Sequence, residues 1–454
     1  MVNGFEHKRI KTKNLPLAWQ EEGALEELER FLQNNWEQRS IFYTDEYVTS
    51  RQQFIDFDRK GAIKLQNYIG TIIFRGEQLN IFPKVFKEDE DDYDTSDLEV
   101  EELINNLVIW LGYCDRLNFP FVSMRSELGS TDNLLELFIT VYVYYVKAAI
   151  DRQLFFRYEE VTETGSFVKG KIDLRDYSSR KYPAGQWNQL DYTYSSFVFD
   201  NQVNRIIKNT CLLIQHLTKQ RSSKKVIRDI LMKLGDVSNV ECTPYDCDSV
   251  HLSALHSHYR IILSMSKMFL LNKVTSHDVG MTDTFCFLFP AELLFEGFIG
   301  GFMKEMLRGE AKVSTQTSDQ YLADLVVDGE EVGNAFQLRE DIVVETNDQI
   351  VVLDTKYKEI DRFRKVKENK KLHISDSDMK QMAIYAAKRG AKKLYLLYPL
   401  HRDEKPESIE IRYDIMLDDG DRKIPLEILK VPFAFGEDVD ETKNLLQSIL
   451  VKVV

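Results

Sequence analysis

The sequence predicts a mixed protein of the α/β (α+β) class: a strand-rich beginning, a helical middle, and a final mixed sheet flanked by helices. Three observations predict it. The chain has 454 residues, more than one hydrophobic core usually serves, so two or three domains are expected. Apolar residues recur at helical offsets in several long stretches and alternate in others. From about Thr284 the order becomes helix, Val- and Ile-rich strands, helix, then more strands, which is a mixed α/β order.

Residues 1–95 read as the strand-rich segment, with one helix. In Ala24 to Trp36 the residues Leu25, Leu28, Phe31 and Leu32 share a helical face. Tyr68 to Phe86 reads as two strands: Ile69, Thr71 and Ile73 alternate, Arg75-Gly76-Glu77 turns, and Leu79 and Ile81 lead to a stop at Pro83. The acidic run Glu88 to Asp94 reads as a solvated loop or linker. Residues 96–280 read as the helical middle. Its helices are Asp97 to Leu111, a helix capped by Asp132 or Asn133 and running through Ile150, then Asn201 to Thr218, Ser223 to Leu234 and Ala254 to Leu271. Gly165 to Leu174 reads as a strand or turn. The last boundary falls near Asp278 to Asp283, and residues 281–454 form the final domain. There a helix from Ala291 to Leu307 precedes the strands; a second, Asp378 to Lys388, ends at Gly390 before a strand from Lys392 to Tyr398.

The bulk properties narrow the function. The longest uncharged apolar run, Leu137 to Val146, is too short for a bilayer, and Met1 to Lys13 has no apolar signal core, so a cytoplasmic protein without membrane partners is expected. The five cysteines form no CxxC pair and read as reduced, buried thiols. The formal net charge is −14. Affinity for a phosphate backbone comes from Lys and Arg, so a DNA-binding role requires local clustering of bases or a partner that holds the DNA.

The chemistry concentrates in Arg339 to Lys356. Two strands, Arg339 to Glu345 and Ile350 to Lys356, flank the polar turn Thr346 to Gln349. Asp341 opens the first; Asp354 and Lys356 close the second. An antiparallel hairpin brings those ends together, and residues two apart on a strand share a face. Two carboxylates and an amine then meet at one edge. Mg²⁺ is held by carboxylates and water, and can lower the pKa of bound water. Asp341 and Asp354 are the candidate metal ligands, and Lys356 the group beside the nucleophile. Roughly one or two D-x-K strings arise in a chain of this size from composition alone, so context decides. The apolar run Ile350 to Leu353 marks a central strand, and Asp341 lies at the matching offset. Glu296, in the apolar helix Leu293 to Phe298, either faces the metal or is an exposed helical acid. Gln381 and Tyr385 are four apart on one helix face. They either support the site and touch DNA, or are a solvated amide beside a core ring.

In this order, an acid on a helix, Asp341, D-x-K and Q-x-x-x-Y resemble the PD-(D/E)xK nuclease superfamily, in its Gln-Tyr branch. The wider resemblance is to the McrC family, the nuclease subunit of McrBC-type restriction systems, LlaJI-like systems included. It is carried by Leu338 to Ile342 and Leu353 to Tyr357, with Glu340 where proline is common. Upstream it is carried by Tyr68-Ile69-Gly70, Ile81 to Lys84, Gly170 to Asp173 and Asp200 to Arg205. The resemblance implies a Mg²⁺-dependent endodeoxyribonuclease in phage defence. Asp341, Asp354, Lys356 and Glu296 would be its catalytic set, with Gln381 and Tyr385 in support. It implies a McrB-like AAA+ GTPase hexamer as partner, into which the N-terminal half inserts and whose nucleotide hydrolysis it stimulates. The substrate would be double-stranded DNA. The best-known members cut DNA with modified cytosines, and relatives recognise unmodified sites.

Other strings read blandly. Gly165 to Ile172 mimics a phosphate-binding loop, but Ile172 replaces the hydroxyl residue and no helical stripe follows, so no nucleotide is expected on this chain. His256 and His258 lack a third ligand at a useful offset. Tyr142, Tyr144 and Tyr145 read as core. Two further functions compete with a partnered nuclease: a non-catalytic adaptor that activates an AAA+ motor, and a self-sufficient defence or repair nuclease.

Overall fold

A computed structural model describes residues 2–34, 53–58, 62–87, 99–114, 134–167, 169–253, 256–275, 285–360, 370–402, 404–405, 410–417, 422–436 and 438–453. The expected acidic run and the caps at Asp132 or Asn133 lie outside them. The architecture is mixed α/β, and the chain divides into two compact units: residues 1–134 with 281–454, and residues 135–280. The units therefore group the chain differently from three consecutive segments, and long-range pairing is the reason.

In the first unit, strands β1 (Val2–Phe5), β5 (Tyr68–Phe74), β6 (Glu77–Phe82) and β10 (Phe285–Pro290) form one sheet in the order β1-β6-β5-β10. The β5–β6 hairpin turns at Arg75 and Gly76, both with positive φ, the geometry whose twist suits a two-residue hairpin loop. β10 pairs antiparallel with β5, tying residues after 280 to the N-terminal segment. Gly70 makes this pairing possible: at φ 137°, a Cβ there would lie 2.1 Å from the Phe287 carbonyl oxygen. A smaller sheet, β2 (Arg9–Lys11), β3 (Ile55–Asp58) and β4 (Ala62–Leu65), shares an apolar core with it and with helix α1 (Ala24–Asn34).

Helix α2 (Val100–Tyr113) also belongs to this unit. Asn106 exchanges hydrogen bonds with Phe435 N (2.7 Å) and O (2.9 Å). Trp110 donates to the Phe433 carbonyl and stacks on its ring. Gly301, in the helix Ala291–Met306, lets the Tyr113 backbone approach; a Cβ there would lie 1.9 Å from the Tyr113 carbonyl oxygen.

The second unit holds α3 (Leu134–Arg152, entered at its first residue), α4 (Gln202–Leu217), α5 (Arg221–Lys233), α6 (Pro244–Asp248) and α7 (Tyr259–Thr275). It also holds a three-stranded sheet, β7 (Arg157–Gly165), β8 (Lys171–Ile172) and β9 (Leu190–Val198), in the order β7-β9-β8. Two of those strands were not expected. β7 is mostly exposed and β9 mostly half-buried, so neither shows strong apolar alternation. Asp200 to Arg205 forms a polar knot. Asn201 caps α4, Asn204 donates to the Phe155 and Phe199 carbonyls, and Arg205 grips Asp200, which also accepts from Ser238. Gly170 has φ 73°, and a Cβ there would lie 2.4 Å from the Thr193 carbonyl oxygen. The two-residue strand Lys171–Ile172 follows it, and a short helical stretch, Leu174–Asp176 continued by Tyr177–Lys181, begins beyond with Asp173 as its cap, where the sequence shows no helical stripe. His256 and His258 pack against Phe155 and Tyr259. Tyr142 is buried and bonds Ser266, while Tyr144 and Tyr145 are half-buried. All five cysteines are buried thiols outside any disulfide.

The remainder of the first unit carries the site. Helix α8 (Ala291–Met306) leads into β11 (Lys312–Thr317), then the β12–β13 ribbon (Tyr321–Val327 and Glu330–Gln337). Next come β14 (Glu340–Glu345), β15 (Ile350–Thr355), helix α9 (Asp376–Arg389), β16 (Lys393–Leu400), β17 (Ile411–Leu417), β18 (Arg422–Pro432) and helix α10 (Val439–Leu450). The sheet order is β11-β14-β15-β16-β18-β17, with β15, β16 and β18 mutually parallel. β15 is interior, as its unbroken apolar run predicts. Helix α9 starts with Ser375 as its cap and ends at Gly390 in the left-handed conformation. Its Met382, Tyr385 and Ala386 join Val343, Val352 and Leu394 in one core. Among the described residues no helix is long and apolar enough to cross a membrane.

Candidate active site

β14 and β15 pair antiparallel with Ile342 opposite Leu353. One step further along the same register, Asp341 faces Asp354 across the ribbon. The two carboxylates therefore lie on one face, the face that α9 covers through Val343 and Val352.

Each acid is held differently. Asp341 Oδ2 accepts from both the backbone N–H and the hydroxyl of Thr355, at 2.8 Å each. Asp354 is 1% exposed. Neither of its oxygens accepts a well-formed hydrogen bond, though the Lys356 ammonium lies 2.6 Å from Oδ2. Burial, with Asp341 as the next cause, pushes the Asp354 carboxyl up to about 7. Burial likewise raises Glu296 well above the carboxylate range, and Asp341 and Asp354 add to the effect. For Lys356, burial favours the neutral amine, but Asp354, Asp341 and Asp378 outweigh it and carry its pKa above the usual value. The lysine is therefore a charged group at neutral pH.

Helix α9 completes the site with a directional relay. Lys356 donates to Gln381 Oε1 (3.1 Å), Gln381 Nε2 donates to the Tyr385 hydroxyl (2.6 Å), and that hydroxyl donates to the Arg339 carbonyl (2.5 Å). The four-residue spacing of Gln381 and Tyr385 thus links the end of β15 to the start of β14. The structure brings Asp341, Asp354, Lys356, Gln381 and Tyr385 together. Glu296, on α8, reaches them electrostatically and accepts a hydrogen bond from Gln316.

Several participants were not identified from sequence. Gln316 has φ 52° and interrupts the β11–β14 ladder between Thr315 and Thr317, opposite Asp341. Its side chain bridges Glu296 and Arg339. Asp378 pairs with both Lys356 (3.8 Å) and Lys358 (3.3 Å). Tyr398 is buried, its hydroxyl has no hydrogen-bond partner among the described residues, and burial followed by the Asp378 and Asp354 charges raises its pKa. Glu340, where proline is common in the resembled motif, is fully buried and meets Arg389 through two hydrogen bonds, at 3.2 and 2.8 Å.

The donor set suits a small hard cation. It offers two carboxylates on one face, one with a buried oxygen that no described group bonds, and burial together with neighbouring acids raises the Asp354 and Glu296 carboxyls. Among the described residues no three His, Cys, Asp or Glu side chains gather as a ready metal cage. That is compatible with Mg²⁺, which usually keeps several waters and takes one or two carboxylates.

A family model described as the McrBC 5-methylcytosine restriction system component matches residues 63–399. No curated protein matches the sequence. Among solved structures, the chain is similar to one from Thermococcus gammatolerans, described as a refined half-complex from a tetradecameric assembly of McrB AAA+ hexamers with bound McrC. The likeness covers 100% of each chain at 17% identity, with a TM-score of 0.60. A cryo-EM structure of the Thermococcus gammatolerans McrBC complex matches 67% of this chain and 88% of its own at 19% identity, with a TM-score of 0.48. At such identity the first likeness is one of fold. The family match is broader in consequence: it runs from β4 through the second unit and the candidate site to β16. The chain belongs to the family of McrBC 5-methylcytosine restriction system components.

Proposed function

We propose that this chain is the McrC-like nuclease subunit of a GTP-dependent restriction complex, cutting double-stranded DNA with Mg²⁺ and stimulating a McrB-like AAA+ GTPase hexamer. The observation that carries the reading is the meeting of Asp341, Asp354 and Lys356 at the end of an interior strand. Family membership and the McrC–McrB assembly named for the similar structure support it.

Mg²⁺ held by Asp341 and Asp354 would supply a Lewis acid for the phosphate and a bound water of lowered pKa. The chain's own groups do the rest. Thr355 fixes the orientation of Asp341. Lys356 brings a positive charge to where phosphate oxygens gain negative charge. Gln381 and Tyr385 hold that ammonium against the β14 backbone. Glu296, bonded by Gln316, adds a third acid from the helix side.

The second unit supports the partner role. Tyr158, Phe167, Tyr182 and Trp187 stand exposed on and around the β7-β9-β8 sheet, among Lys169, Lys171 and Arg175. Exposed aromatic side chains of this kind suit contact with another protein. A AAA+ partner that holds the DNA also reconciles a net charge of −14 with a DNA substrate.

The test is reconstitution with a McrB-type hexamer, GTP, Mg²⁺ and plasmid DNA. Cutting is expected, and Asp354→Ala should lose it while still binding the hexamer and stimulating GTP hydrolysis. Wild-type cutting by Asp354→Ala would refute the assignment.

A further inference from the structure

We propose that Asp378 is a positioning residue: it receives the Lys356 ammonium when a divalent cation takes Asp354. The inference rests on the reading of Asp341 and Asp354 as the cation site.

Among the described residues the close partner of Asp354 is the Lys356 ammonium, 2.6 Å from Oδ2. A divalent cation on the same carboxylate would stand within a few ångströms of that ammonium. Like charges so close, in a site this buried, repel strongly. The lysine must then lean elsewhere, and its flexible stem allows it. Gln381 Oε1, at 3.1 Å, offers a dipole but no charge. The other carboxylate paired with Lys356 is Asp378, with Oδ1 at 3.8 Å.

Asp378 is built to receive a cation. Its side chain is 7% exposed, and it sits in the first turn of α9, where the helix N-terminus favours negative charge. Its pKa is held below the usual carboxylate value: burial opposes ionisation, but Ser375, Lys356 and Lys358 outweigh it. Its nearer cation, Lys358, is 57% exposed in its side chain, so water screens that pair and Asp378 stays available. Without Asp378, the ammonium would keep Asp354 and compete with the incoming cation.

The experiment measures Mn²⁺ binding to the full chain by calorimetry in the wild type, Asp378→Asn, Lys356→Met and the double variant. Asp378→Asn should weaken binding roughly ten- to a hundredfold, the worth of one charge-assisted contact. In the Lys356→Met background the same change should alter affinity by less than about threefold, because there is no ammonium to relocate. An equal loss in both backgrounds would mean that Asp378 acts by its own charge on the cation, and the proposal falls. Asp378→Glu keeps the acid and should restore affinity; failure to do so also counts against it. Lys358→Met removes the competing cation and should bind at least as tightly as wild type, and weaker binding would contradict the inference. Should the wild type bind no Mn²⁺, or Asp354→Asn bind it equally well, the underlying cation site is what fails, and the inference with it.

Discussion

Replacing Tyr385 by Phe removes one oxygen atom from the relay that ends at Arg339. That hydroxyl accepts from Gln381 at 2.6 Å and donates to the Arg339 carbonyl at 2.5 Å. Its loss takes a partner from the Gln381 amide and one from the Arg339 carbonyl, beside a ring that is 3% exposed. Losing a partner costs a buried group about 1–3 kcal/mol. Gln381 is half-buried and recovers part of this from water, so the fold should lose about 1–3 kcal/mol in all. For a unit of this size that lowers Tm by a few degrees. The catalytic effect is separate. Gln381 is no longer anchored, so its oxygen no longer holds Lys356. We expect kcat to fall roughly ten- to a hundredfold, about 1.4–2.8 kcal/mol in barrier, with the KM for DNA unchanged. Single-turnover cleavage with the AAA+ partner and thermal unfolding read the two effects. Gln381→Leu should reproduce the loss in kcat. A Tyr385→Phe variant that cuts within about twofold of wild type while unfolding earlier would show that the ring is merely structural.

Other perturbations follow the same logic. Gly70→Ala forces a Cβ against the Phe287 carbonyl oxygen at φ 137° and should cost about 3 kcal/mol or more in thermal unfolding; a Tm within about 2 °C of wild type would contradict it. Arg389→Met strands the fully buried Glu340 and should cost about 3–5 kcal/mol, most of it regained in Glu340→Gln/Arg389→Met; equal losses in the single and double variants would refute the pairing. The Arg205 guanidinium, with Ser238 in support, holds the Asp200 carboxyl far below its ordinary pKa. Its contribution is thus complete above about pH 4 and lost as pH falls further. Urea unfolding should show wild type losing stability below that pH, with Asp200→Asn starting about 1–2 kcal/mol lower at neutral pH and showing a flatter acid limb; parallel profiles would refute the linkage.

How much of this was legible in the sequence depended on the range of the interaction. Local period carried the helices from Ala24, Asn201 and Ala291, because each buries one apolar face. The same is true of the interior strand β15, whose run Ile350 to Leu353 has no polar side. The meeting of Asp341, Asp354 and Lys356 followed from hairpin register. Helix spacing similarly put Gln381 beside Tyr385, though it could not show that their hydrogen bonds run from Lys356 to Arg339. Gln316 was invisible because its importance comes from a left-handed backbone that no residue-level preference demands of glutamine. Asp378 looked like an ordinary acid of a helix's first turn, since the charges that make it matter arrive from Lys356 and Lys358. The β7 and β9 strands were missed because a mostly exposed strand and a half-buried one leave little apolar rhythm.

Two of the short upstream motifs, Tyr68-Ile69-Gly70 and Ile81 to Lys84, are contacts written at a distance. Lys84, which closes Ile81 to Lys84, donates its ammonium to the Tyr357 carbonyl at 3.0 Å and lies over the Tyr357 ring. The Tyr357 hydroxyl and the Lys84 backbone N–H converge on one oxygen of Glu6, at 2.6 and 2.8 Å. Burial raises the Glu6 carboxyl, and Lys84 opposes that rise, so the acid depends on this company. Tyr357 is the residue after Lys356, so the knot fixes the backbone on which the ammonium is mounted. Gly70, in the Tyr68-Ile69-Gly70 motif, admits the Phe287 carbonyl just before α8 begins at Ala291. The weight carried by the order of these motifs therefore has a physical source. Strands near the N-terminus clamp both the chain that follows the candidate lysine and the chain that leads into the helix of Glu296.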